Sequence, residues 1–98
     1  VLQALYVELI NAGKVNPAAA LRVGATIEDL DLFDLTRDLE NVSNPEVVQV
    51  YNNLSKGSRN HLRVFYQQLF NLGETYVPHY ISAEAFEAII NSPMETGQ

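Results

Sequence analysis

The sequence contains no cysteine. A disulfide framework, a thiolate metal site and a cysteine nucleophile are therefore excluded, and any metal would need carboxylate and imidazole ligands. No run of eighteen apolar residues occurs, so the chain has no membrane span. Positive charge is also scarce. Six Lys and Arg stand against twelve Asp and Glu, a net charge of −6, which is the wrong electrostatic footprint for nucleic acid or an anionic membrane. With only 98 residues there is no room for a second domain. The chain opens on Val1, without an initiator Met or a basic-then-apolar leader, and reads as a processed or truncated product.

What is present is helical punctuation. No segment alternates apolar and polar residues over six positions, and the Gly and Pro residues fall where helices begin and end. Four helical segments are expected. Leu2 to Ala12 carries Leu2, Leu5, Tyr6, Leu9 and Ile10 at helical spacing, and Gly13 supplies a left-handed cap. Asn16-Pro17 opens the second segment, which runs to about Glu40. Asn44-Pro45-Glu46 opens the third, which Gly73 ends. At 1.5 Å per residue these two would each reach roughly 36 to 42 Å. Only Asn41 to Ser43 separate them, so they must fold as an antiparallel hairpin. After the extended turn Tyr76-Val77-Pro78-His79-Tyr80, Ser82 caps a fourth, short helix reaching about Asn91. The fold class is all-α: a long-helix hairpin with short flanking helices, one domain over residues 1–92 and a flexible tail over 93–98.

Stepping 100° per residue along the second segment gathers Leu21, Gly24, Ala25, Leu32, Leu35 and Leu39 on one face, with Glu28 in its middle. On the third, Val47, Val50, Tyr51, Leu54, Phe65, Leu69 and Leu72 form the apolar face and His61 falls near its centre. Folding the hairpin brings Glu28 level with roughly Gly57 and Ser58, less than about two turns from His61. The small residues Gly24, Ala25, Gly57 and Ser58 surround the pair. The opposite face of the third segment, including Lys56, Arg59, Asn60 and Arg63, is expected to meet water. The second segment has apolar surface to spare, since Val23, Ile27, Leu30 and Phe33 point away from the Glu28 stripe. A two-helix hairpin cannot enclose its own inner face, so self-association completing a four-helix bundle is expected, unless upstream sequence supplies the other pair.

The stretch Ala20-Leu-Arg-Val-Gly-Ala-Thr-Ile-Glu-Asp-Leu-Asp31, then Asn44-Pro-Glu with Val50-Tyr-Asn-Asn-Leu, resembles a ferritin-like family of uncharacterised proteins called domain of unknown function 2202. Lys56-Gly-Ser-Arg-Asn-His-Leu-Arg63 and Tyr76-Val-Pro-His-Tyr-Ile-Ser82 resemble it too, the former most specifically. The resemblance implies two further long helices upstream, which makes this chain the C-terminal half of a ferritin-like bundle whose partner is a second copy or the upstream half. Ferritin-like di-iron proteins take a lone Glu from each of two helices and Glu-x-x-His from each of the others. On that pattern Glu28 matches the lone carboxylate and His61 the imidazole, with Asp31 one turn after Glu28 as a further ligand for iron or manganese. The position three residues before His61 is Ser58, where the pattern has a carboxylate. The competing reading of Glu28 with His61 is a buried hydrogen-bonded pair that fixes helix register in a structural or oligomerisation module.

Six of the twelve acids lie between Glu28 and Glu40 and read as a solvated face, because Arg37 is among them and no calcium-loop signature occurs. Ser58 with His61 is too little for a nucleophile and base, since neither an orienting group nor an oxyanion hole accompanies it. Phosphate-binding glycine loops, dinucleotide fingerprints and zinc-protease motifs do not occur.

Overall fold

The computed structural model describes residues 3, 4, 7, 11 and 16–96. Gln3, Ala4, Val7 and Asn11 are helical; the rest of the first expected helix, with Gly13, lies outside the described residues. Three helices follow: α1 Pro17–Leu39, α2 Pro45–Asn71 and α3 Ala83–Ile90. Among the described residues there is no strand.

Each helix starts where a side-chain oxygen can satisfy backbone donors that the first turn leaves open. Asn16 accepts from the Ala19 N–H at 3.1 Å, Asn44 from Glu46 and Val47 at 2.9 and 3.4 Å, and the Ser82 hydroxyl from Ala85 at 3.1 Å. The prolines after Asn16 and Asn44 add a preset φ at the first helical position. α2 stops at a Schellman motif: Glu74 N–H donates to Leu69 C=O and Gly73 N–H to Phe70 C=O, both at 2.9 Å, with Gly73 at φ 76°. A residue with a Cβ would be strained there.

α1 and α2 run antiparallel. Gly24 lies against Phe65 while Glu28, further along α1, meets the earlier His61 on α2. Ala25, Leu32, Leu62, Leu69, Tyr76 and Phe86 form the core, and α3 closes its lower side by burying Phe86 edge-on against Tyr66, ring centroids 5.5 Å apart. An eight-residue helix is too short to hold itself together in water, so α3 exists because of that packing. α1 is covered from more than one side, with Ile27 and Leu30 buried, whereas Phe33 remains exposed.

The crossing at Gly24 is close. A Cβ built there lies 2.5 and 2.6 Å from Phe65 ring atoms, so the ring must move to admit one. We expect Gly24→Ala to destabilise the chain by about 1–3 kcal/mol in urea denaturation, despite alanine's better helix propensity. Adding Phe65→Leu, which withdraws the ring, should recover most of that loss. A stabilised single variant would refute the tight crossing.

One face departs from expectation. His61, placed by projection at the centre of the buried stripe, has its side chain 65% exposed. The face of α2 that packs is Ser58, Leu62 and Leu69, about a quarter-turn around the helix. One neighbouring helix covers only one edge of an apolar stripe; the other edge, with Val47, Val50, Leu54 and Leu72, is left open in the single chain.

Candidate functional site

Glu28 and His61 do come together. The His61 Nδ1 lies 3.5 Å from Glu28 Oε2, and the buried Ser58 lies one turn before His61 on the same helix. Glu28 is shielded, its side chain 13% exposed, whereas the imidazole opens toward the uncovered edge of α2. Burial raises the Glu28 carboxyl above its ordinary range and Asp31 adds to the rise; His61 and Ser58 oppose it. Asp31 is also raised, first by burial and then by Asp34, and it feels the His61 charge. The three residues read as ligands thus share one electrostatic neighbourhood. They do not converge: among the described residues no three His, Asp or Glu side chains are grouped to hold a metal ion. Ser58, three residues before His61, brings a neutral hydroxyl to this neighbourhood where a carboxylate would be needed for a further ligand. Among the described residues a complete di-metal centre is not assembled; Glu28 and His61 are the two of these residues that meet. At Gly57, beside Ser58, an added Cβ would meet nothing within 4 Å, so the seam is open there.

Two polar centres escaped the sequence reading. The first is Asp29, next to Glu28, about 100° further around the helix and fully buried. Its carboxylate accepts from the Tyr76 hydroxyl at 2.6 Å and from the backbone N–H groups of His79, Tyr80 and Ile81 at 2.6, 3.2 and 2.8 Å. Burial, and after it the bond to Asp29, holds the Tyr76 phenol above its usual range, which keeps it a donor. The extended segment 76–81 has no strand to pair with, so its N–H groups need an acceptor, and a buried charge needs donors. Each solves the other's problem. His79 contributes its backbone here, while its ring stacks on Tyr76 at 5.6 Å. An acid at a helix position that shares the face of Ala25 and Leu32, followed far downstream by Tyr76-Val77-Pro78, is the signal the sequence carries.

The second centre lies on the face of α2 expected to meet water. Arg63 is buried, its side chain 8% exposed. It donates from Nε to the Ile89 carbonyl at 2.8 Å and from Nη1 to Asn60 Oδ1 at 2.8 Å. Glu95, in the stretch read as a flexible tail, closes over this face. Its carboxylate takes Arg59 Nε and Nη2 at 2.7 Å each and Arg63 Nη1 at 2.8 Å. Those bonds, Arg59 foremost, hold the Glu95 carboxyl down at about 2.

The described residues thus define an all-helical protein: an antiparallel hairpin with a short third helix, a polar pair on its open edge, and no helix long and apolar enough to cross a membrane. Residues 1–93 match the model of an uncharacterised protein domain, domain of unknown function 2202, and the chain belongs to that family. It is 48% identical over 93 residues to the uncharacterized protein MJ0754 of Methanocaldococcus jannaschii, covering 95% of this chain and 50% of the relative. The crystal structure of hypothetical protein MJ0754 from Methanococcus jannaschii DSM 2661 superposes with a TM-score of 0.88 at 47% identity, covering 95% of this chain and 53% of that one. The chain therefore spans about half the length of the curated relative it matches.

Proposed function

We propose that this chain is one half of a ferritin-like four-helix bundle, an assembly module whose open α2 edge takes a second helix pair from another copy or from an upstream half. The observation that carries this is the line of Val47, Val50, Leu54 and Leu72, each 38–53% exposed, on either side of His61. An apolar row along a whole 27-residue helix is interface surface in a soluble bundle. The chain's half-length match to its relative supports the same reading. Within the assembly the Glu28–His61 pair becomes enclosed at the seam and sets helix register, because a shifted alignment would leave the buried carboxylate without its partner.

A second reading has its own observation. His61 turns Nδ1 to a carboxylate, and an imidazole held that way retains Nε2 for a metal facing the seam. Glu28, His61 and, from the edge, Asp31 would then be this half's share of an iron or manganese site, with the remaining ligands coming from the added helices. Metal analysis decides between the two. The metal reading expects stoichiometric iron or manganese in purified protein, and a melting temperature raised by Fe²⁺ or Mn²⁺ in wild type but not in His61→Ala. Metal-free protein whose stability is indifferent to both ions leaves the register role alone.

A further inference from the structure

The Glu95 clasp is more selective than a tail contact requires. Asn60 reads backbone: its Nδ2 donates to the Glu95 carbonyl and its Oδ1 accepts from the Glu95 N–H, both at 2.9 Å. Arg59 and Arg63 read the side chain, Arg59 as a planar fork on both oxygens. One residue is thus recognised through its N–H, its C=O and its carboxylate at once. Part of the reader is anchored apart from what it holds, since Arg63 also donates to the Ile89 carbonyl and to Asn60 Oδ1.

Charge points the same way. Lys56, Arg59 and Arg63 are three of the six cationic residues in a chain of net charge −6, and they share the face of α2 opposite His61. Two guanidinium groups on one carboxylate leave local positive charge. Finally, the three reading residues lie inside the region matched to the family, residues 1–93, and Glu95 lies beyond it.

We propose that Arg59, Asn60 and Arg63 form a binding site for an acidic peptide segment, with Glu95 as its resident occupant. The ligand chemistry is one glutamate taken through its N–H, its C=O and its carboxylate, and its source is the chain's own tail or the tail of a second copy.

The test uses full-length Glu95→Gln, which removes the charge from the Arg59 and Arg63 contacts without touching a helix, so that its own tail competes more weakly. Its Asn60 side-chain amide is followed by NMR during titration with the acetylated, amidated hexapeptide Asn-Ser-Pro-Met-Glu-Thr and with its glutamine counterpart. The glutamate peptide should bind at least about tenfold tighter than the glutamine peptide, because the charge-assisted contacts are lost in the latter. Wild type should bind at least about tenfold more weakly than Glu95→Gln, since its tail competes from a high effective concentration. Adding Arg59→Leu should abolish binding. Unlabelled wild type mixed with labelled Glu95→Gln distinguishes the sources: the peptide's own shifts at Asn60 assign exchange between copies, and their absence assigns the chain's own tail. If circular dichroism shows Glu95→Gln unfolded, Glu95→Asp gives the same comparison with a weakened occupant. No binding to Glu95→Gln, or equal binding of both peptides, overturns the proposal.

Discussion

Replacing Asp29 with alanine is expected to lower the unfolding free energy by about 3–5 kcal/mol, as removal of a buried charged hub does. The substitution orphans the Tyr76 hydroxyl and three backbone N–H groups that the carboxylate now satisfies. For a domain of this size the corresponding fall in melting temperature is at least about 12 °C. The damage should also be local before it is global. Segment 76–81 sets the position of Ser82, and Ser82 caps α3, so amide exchange at His79, Tyr80 and Ile81 should accelerate first, followed by the α3 amides. Tyr76→Phe removes one of the four donors and should cost only about 1 kcal/mol. An Asp29→Ala loss under 1 kcal/mol would show that the buried carboxylate does not hold the segment.

Leu54→Glu addresses the assembly. Wild type at tens of micromolar should sediment as a dimer or larger, and the variant as a monomer, with association weakened at least about 100-fold. In the single chain Leu54 is 53% exposed, and leucine and glutamate have similar helix propensity, so the variant should keep the helical content of the parent. The cause is the placing of an unpaired carboxylate in an apolar contact. A wild-type chain that stays monomeric and well folded at that concentration would remove the basis of the half-bundle reading.

The helices were legible because their signals are local. Asn16-Pro17, Asn44-Pro45 and Ser82 act within one turn, and a short connection between two long amphipathic segments leaves few geometries other than a hairpin. The meeting of Glu28 with His61 was legible for a related reason: antiparallel register follows from counting outward from the turn. His61's exposure was not, because a projection shows how wide an apolar stripe is and says nothing about which edge a neighbour covers. The roles of Arg59, Asn60 and Arg63 were hidden by the same limit. On a helical wheel they are a polar face, and only the return of the chain after α3 turns that face into an interior.

Sequence alone therefore determined the class of fold, the bounds of α1, α2 and α3, and the proximity of one carboxylate to one imidazole, since each depends on contacts a few residues apart or on a count from a short turn. Tertiary structure decided which acid among six is buried, which cations are enclosed and which apolar edge stays open. Those outcomes depend on groups 26 to 52 residues apart in the chain, as in Arg63 with Ile89 and Asp29 with Ile81. A buried charge is tolerated only where distant donors arrive to meet it, and no local pattern records their arrival.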